Sequence, residues 1–142
     1  MAEASDAVLH AGDVCEEAVL DGLRERAPVH AVLGNNDRTL RGRLPEALQL
    51  ELGGVRIGML HDAGPTAGRA TRMARRFPEA DVVVFGHSHA PLVDAAEEFP
   101  LLVNPGSPTQ RRRQPVHTVA WLDVADGEVA EAAIVEVGPL AR

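Results

Sequence analysis

The sequence has a single cysteine, Cys15, so no intrachain disulfide can brace it. Aromatic residues make up only 3% of the chain. A core must therefore be filled by valine, leucine and alanine. No apolar run approaches the ~18 residues that a membrane-spanning helix needs. The opening residues, Met1 to Asp6, are acidic. They lack the basic and apolar stretches of a secretory signal, and a cytoplasmic protein is the simplest reading. The formal net charge of −7 argues against a general nucleic-acid-binding surface. It leaves room for a small phosphorylated substrate held by metal ions, because local charge decides there.

What remains is the composition of one globular domain over residues 1–142. Hydrophobic residues are 45% and charged residues 25%, enough for a single core at this length. Ala7 to Ala11 is a short apolar run that reads as a buried strand. Glu16 to Ala27 carries Val19, Leu20, Leu23 and Ala27 at helical spacing, and Pro28 stops it. A second apolar run, Val29 to Leu33, completes a strand–helix–strand unit. Leu48 to Leu52 and Val55 to Leu60 flank Gly53-Gly54, a hairpin signal. The stretch from Thr66 to Phe77 suits an amphipathic helix, and Asp81 to Phe85 a buried strand. Short strands follow near Leu92 to Asp94 and Leu101 to Val103. The spacing then predicts a final hairpin, Thr118 to Val124 and Val129 to Val137, around Asp126-Gly127.

Each apolar strand ends in a small polar cluster. These are His10-Ala11-Gly12-Asp13, Gly34-Asn35-Asn36-Asp37, His61-Asp62 and Gly86-His87-Ser88-His89. In open α/β sheets, ligands bind outside the carboxyl ends of strands, so the four clusters are expected to converge on one rim. They offer carboxylates at Asp13 and Asp37, an amide at Asn35, and imidazoles at His61, His87 and His89. A nitrogen and oxygen donor set without thiolates suits Mn, Fe, Co, Ni or Zn in a reactive site rather than a structural cysteine–zinc site. Each cluster also has a plainer use. Asp13 can cap the following helix, Asn35-Asn36-Asp37 can be a simple turn, and His61 a polar strand end. The joint occurrence at four strand ends is what points to a site.

The ordered series Gly12-Asp13, Gly34-Asn35-Asn36-Asp37, His61, Gly86-His87-Ser88-His89 and Asn104-Pro105-Gly106-Ser107-Pro108 resembles the calcineurin-like metallophosphoesterase superfamily. The likeness is to its small bacterial and archaeal phosphodiesterases, and it covers nearly the whole chain. It implies an α/β fold, a two-layer β sandwich flanked by helices, and metal-dependent hydrolysis of phosphodiesters with Mn²⁺ as the leading cofactor. Ni²⁺, Co²⁺, Fe²⁺ and Zn²⁺ are the alternatives. It implies that Asp13 bridges two metal ions, that Asn35, His61 and His87 complete the second site, and that His89 serves the first. Asp13 and Asn35 are the catalytic positions so implied, with a metal-bridging hydroxide as nucleophile.

Three departures from the family pattern stand out. The family's Asp-x-His motif, which supplies two ligands of the first metal, has no counterpart in these residues, so an N-terminally truncated form of the fold is the expectation. Asn36 stands where some members carry a histidine that acts as general acid. Asp62 stands where glycine is usual. Arg111, Arg112 and Arg113 follow the Asn-Pro-Gly-Ser-Pro loop, and the resemblance implies phosphate contact there, with Arg111 and Arg112 as substrate-binding candidates. The alternative function is a catalytically impaired metal-binding or scaffold protein of the same fold, as in the retromer subunit that shares it. The sequence leaves self-association open.

Overall fold

The computed structural model describes residues 5–12, 17–34, 37, 40–96, 98–107 and 116–137. Its elements in chain order are β1 (Val8–His10), α1 (Glu17–Arg24), β2 (Val29–Ala31), β3 (Ala47–Leu52), β4 (Val55–Leu60) and α2 (Arg69–Arg76). They continue with β5 (Val82–Val84), β6 (Leu92–Asp94), β7 (Leu101–Asn104), β8 (His117–Ala125) and β9 (Glu128–Val137). Among the described residues no helix is long and apolar enough to cross a membrane.

The strand–helix–strand reading holds: β1 and β2 pair in parallel with α1 between them. The larger sheet runs β3-β4-β5-β7-β6. Its inner pairs, β4 with β5 and β5 with β7, are parallel, while β3 and β6 join the edges antiparallel. The sheet is therefore mixed. β5 is buried on both faces, which explains why Val82-Val83-Val84 reads as a continuous apolar run.

Alternation along the strands sorts the side chains into layers. Val82, Val84, Ile57, Met59 and Val103 face a cluster that also holds Ala11 and Val32, with Leu122 and Val124 of β8 packed against it. Val83, Phe85 and Leu102 point the other way, beneath Met73 and Phe77 of the α2 region. The mixed sheet thus carries α2 on one face and the two smaller sheets on the other. α1 closes the outside of β2 through Leu20, which packs with Ala31 and Leu40.

Both hairpins form at the turns read from sequence. Gly53 and Gly54 have φ of 57° and 79°, the doubly positive pair that a tight two-residue turn requires. Asp126 and Gly127 repeat it, and Gly127 N–H donates to Gly53 O at 2.8 Å, tying the two hairpin tips together. The helices are shorter than expected. α1 ends at Arg24, although the turn continues to Ala27 through its N–H bond to Leu23 O. α2 starts at Arg69 rather than near Thr66 because Arg72 turns back on the preceding loop. Its Nη2 donates to Ala63 O at 2.8 Å and its Nη1 to Ala67 O at 3.0 Å. Gly68 then enters the helix in the left-handed region.

Gly58 lies in the middle of β4, directly under Phe77. A Cβ at Gly58 would stand 2.5 Å from Phe77 Cγ, and Phe77 is buried. Gly58→Ala is therefore expected to destabilise the fold by about 1–3 kcal/mol through overpacking. Adding Phe77→Leu should recover part of that loss, so the double variant should fall short of the sum of the singles in urea unfolding.

Candidate metal centre

The strand-end clusters meet where the two sheets approach each other. His61 follows β4 directly and is 6% exposed. Its Nδ1 lies 2.7 Å from Ala11 O, the carbonyl just past β1. A carbonyl can only accept, so Nδ1 carries the proton and donates it. In the neutral ring Nε2 is then a bare lone pair. That lone pair faces His87 Nδ1 at 3.3 Å. The two rings meet edge to face, with centroids 5.2 Å apart and planes at 81°.

Gly12 makes the approach of the two sheets feasible. It sits at φ 103°, and a Cβ there would lie 2.6 Å from His61 Nδ1 and 2.9 Å from Gly34 Cα. Only glycine tolerates both the backbone angle and the space. The same close approach places the loop after β2 at this rim. There the buried Asp37 accepts Gly34 N–H through Oδ2 at 2.8 Å, which ties Asp37 to the end of the β2 segment.

His87 is held in an unusual backbone. Gly86 N–H donates to His61 O at 2.8 Å, extending the β4–β5 pairing by one step. Ser88 N–H then bonds back to Gly86 O at 2.8 Å. This is a γ-turn centred on His87, whose φ of 67° puts it in the rare positive-φ form. His89 is also left-handed, at φ 59°. Such residues cost about 1–3 kcal/mol each unless the surroundings over-determine them. Asn104 is the brace. It is fully buried and donates through Nδ2 to Gly86 O at 3.2 Å and to Ser88 Oγ at 3.1 Å. Its Oδ1 accepts Gly106 N–H at 3.0 Å. Behind it, Thr118 Oγ1 donates to Pro105 O at 2.8 Å.

Among the described residues, two imidazole nitrogens stand at a spacing that one divalent cation could share. Two imidazole nitrogens bound to one ion at ~2.1 Å stand about 3.0 Å apart at right angles and about 3.4 Å apart at the tetrahedral angle. The His61–His87 spacing of 3.3 Å falls in that range. The Ala11 carbonyl on His61 Nδ1 is the kind of outer support that fixes a ligating histidine's tautomer and ring orientation. Asp62 adds a carboxylate whose Oδ2 is 3.9 Å from His87 Nε2, while its Oδ1 accepts Gly64 N–H at 2.8 Å.

Of the sequence-derived site residues, His61 and His87 are brought together. His89 is half-buried on the same loop, outside that pair: among the described residues no three histidine, cysteine, aspartate or glutamate side chains form a group able to hold a metal. Asp13, Asn35, Arg111, Arg112 and Arg113 lie outside the described residues. The residues that sequence reasoning gave no bracing role are Asn104, Asp37 and Thr118. Asn104 stood in a quoted loop motif, but nothing local in sequence shows that it would reach Gly86.

Three comparisons bear on this geometry. Residues 1–127 match the profile of the calcineurin-like phosphoesterase superfamily domain. A probable metallophosphoesterase of Methanocaldococcus jannaschii is 36% identical over 124 residues, covering 85% of this chain and 62% of that protein. A probable metallophosphoesterase of Methanothermobacter thermautotrophicus is 35% identical over 139 residues, covering 95% of this chain and 78% of that protein. Among solved structures, Vps29 of Entamoeba histolytica in complex with Zn²⁺ superposes with a TM-score of 0.71 at 24% identity, over 92% of this chain and 82% of that one.

The bracing role of Asn104 is open to test. Asn104→Ala removes both donors from the histidine loop and leaves Gly86 O without that partner. It is expected to cost about 1–3 kcal/mol in urea unfolding. Thr118→Val, one step further from the loop, should cost less.

Proposed function

This chain belongs to the calcineurin-like phosphoesterase superfamily, and on that footing we propose that it hydrolyses phosphodiesters with bound divalent cations. The observation that carries the reading is the His61–His87 pair: one ring locked by Ala11 O, its lone pair aimed at the other ring at 3.3 Å. Family membership implies a divalent metal. Mn²⁺ is the cation proposed, with Zn²⁺ supported by its presence in the Vps29 complex of the same fold.

In this proposal Asp13, Asn35, His61 and His87 hold one ion, and Asp13 and His89 contribute to a second. Bound cations supply a water of lowered pKa and offset charge on the phosphoryl group. The chain's own residues supply the rest. His61 keeps its lone pair outward because Ala11 O fixes its tautomer. His87 is presented by the γ-turn that Asn104 braces. Arg111 and Arg112 are proposed to contact phosphate oxygens, where a guanidinium gives two-pronged contacts. Asn36 cannot donate a proton as a histidine would, which favours diesters whose leaving group departs without strong acid assistance.

The 142 residues contain no Asp-x-His, and they span 62% of the Methanocaldococcus jannaschii relative. With Asp13 and His89 alone, the first ion would be held weakly, since each missing ligand raises dissociation and loosens geometry.

Calorimetric titration with Mn²⁺ tests the site. His87→Ala is expected to weaken binding at least about tenfold, while His117→Ala, at the start of β8 and outside every strand-end cluster, leaves it within about twofold. Equal losses would remove the assignment. For activity, the 142 residues should hydrolyse bis(p-nitrophenyl) phosphate slowly with Mn²⁺. Fusion to the Asp-x-His strand and helix of the Methanothermobacter thermautotrophicus relative should raise the rate at least about tenfold. Thermal melts must show both proteins folded. A fused protein that folds, binds two ions and hydrolyses nothing would favour a scaffold role.

A further inference from the structure

Beside the histidine loop, between the start of α2 and β6, lies a cleft of about 460 Å³ lined by Thr66, Arg69, Ser88, Leu92, Asp94 and Phe99, among others. Ser88, between His87 and His89 in the chain, lines the cleft and links it to the loop that carries both histidines. Its volume matches a small organic ligand rather than a lone phosphoryl group.

The chemistry of its walls is ordered by the strand register. Leu92 pairs with Asn104 at the rim, and Asp94 pairs with Leu102 two residues deeper, about 6–7 Å further from the metal centre. The cationic and donor groups stand at the rim. Arg69 lies over the Phe85 ring, its guanidinium carbon 4.8 Å from the ring centroid, and Phe85 is two residues before His87. That stacking fixes the guanidinium, yet its hydrogen bonding is poor. Among the described residues its hydrogen bonds leave from Nη2, to Gly64 O at 3.3 Å and Thr66 Oγ1 at 3.4 Å, longer than ordinary N–H···O contacts. Its Nε is buried with no acceptor among the described residues. The buried Nε cannot reach a cleft ligand, but weakly bonded Nη donors at a cleft wall suit an anionic oxygen, whose charge-assisted bonds are shorter and about twice as strong.

Ser88 points the same way. Its Oγ accepts Asn104 Nδ2–H at 3.1 Å and Ala90 N–H at 3.3 Å. Both lone pairs are engaged, so its hydroxyl hydrogen is left to donate into the exposed cleft. Leu92 and Phe99 supply an apolar bed for the body of the occupant.

We propose that this cleft is a substrate subsite that seats one arm of the diester, and that Arg69 and Ser88 select arms bearing a second oxyanion, a carboxylate or phosphate. The proposal rests on the phosphodiesterase reading and adds the substrate class. The exposed Asp94, at the end of the cleft away from the metal centre, disfavours an anion there and so confines the charge to the Arg69 end.

The test compares two diesters with the Mn²⁺-loaded protein: bis(p-nitrophenyl) phosphate and 4-carboxyphenyl 4-nitrophenyl phosphate, both read by released 4-nitrophenolate. The wild type is expected to prefer the carboxylated diester by about tenfold in kcat/KM, Arg69→Gln to erase the preference, and Asp94→Asn to increase it about twofold. In parallel, calorimetry should show 4-carboxyphenyl phosphate binding about tenfold more tightly than phenyl phosphate, again lost in Arg69→Gln. The wild-type comparison stands alone if the variant does not fold. Equal rates for the two diesters in the wild type overturn the subsite and leave the phosphodiesterase reading intact. An equal loss on both diesters in Arg69→Gln also overturns it, because Arg69 would then serve the scissile phosphate. No hydrolysis, but a calorimetric preference that Arg69→Gln removes, sustains the subsite and refutes the phosphodiesterase reading. No hydrolysis and no preference refute both.

Discussion

The hydrogen bond from His61 Nδ1 to Ala11 O at 2.7 Å is the constraint on which the rest of the rim depends. It joins two chain segments 50 positions apart and two separate sheets, since Ala11 follows β1 and His61 follows β4. A buried donor without its acceptor would cost about 1–3 kcal/mol, so the bond fixes how the small sheet sits on the mixed sheet at this end. It also sets the tautomer. Flipping the ring would place Cδ2 instead of Nδ1 against the carbonyl and turn Nε2 away from His87. One contact thereby decides packing, orientation and chemistry together.

The second constraint is the backbone of the histidine loop. An isolated γ-turn at a positive φ would open spontaneously. Here Gly86 is held on both sides, by its N–H to His61 O and by Asn104 Nδ2 on its carbonyl. Ser88 is held by Asn104 as well. The apolar layers do the remaining work. Val82, Val84 and Val103 below the rim are all under 5% exposed, so the strand ends that carry His87 and Asn104 cannot shift independently. Strained residues of this kind cluster at functional sites because only a rigid surround can keep them.

Much of this was legible in the sequence, and the reason is locality. Gly53-Gly54 and Asp126-Gly127 announce their hairpins because the turn's positive φ demands those residues. Val82-Val83-Val84 announces a doubly buried strand because no polar residue interrupts it. The approach of the described ends of β1, β2, β4 and β5 was legible too, since parallel strands joined by crossovers present their carboxyl ends on one side. What was not legible depends on distance in sequence. The start of α2 is displaced because Arg72 captures carbonyls of the loop before it, a side-chain effect that helical periodicity does not encode. The His61 anchor is a backbone carbonyl, which has no residue signature at all. Asn104 could be quoted as part of a motif, but its reach to Gly86 and Ser88 belongs to the β5–β7 pairing.

A chain of net charge −7 would have to reverse its own field locally to attract an anion to this rim. Long-range repulsion from scattered surface carboxylates is screened within about 8–10 Å at physiological salt, so the sign at the rim is set by nearby groups. Immediately around the His61–His87 pair those groups are the two imidazoles and the Asp62 carboxylate. The guanidiniums beside it, Arg69 over Phe85 and Arg72 on the 63–67 loop, act in different ways. Arg72 spends its donors on backbone carbonyls and builds the loop. Arg69 keeps donor capacity in hand. The division follows from position: Arg72 sits one turn inside α2, against the loop, whereas Arg69 opens the helix where the cleft begins. In the proposed site, attraction for an anion would therefore come from cations on the histidines and from one weakly bonded arginine, and the overall acidity of the chain would not oppose it.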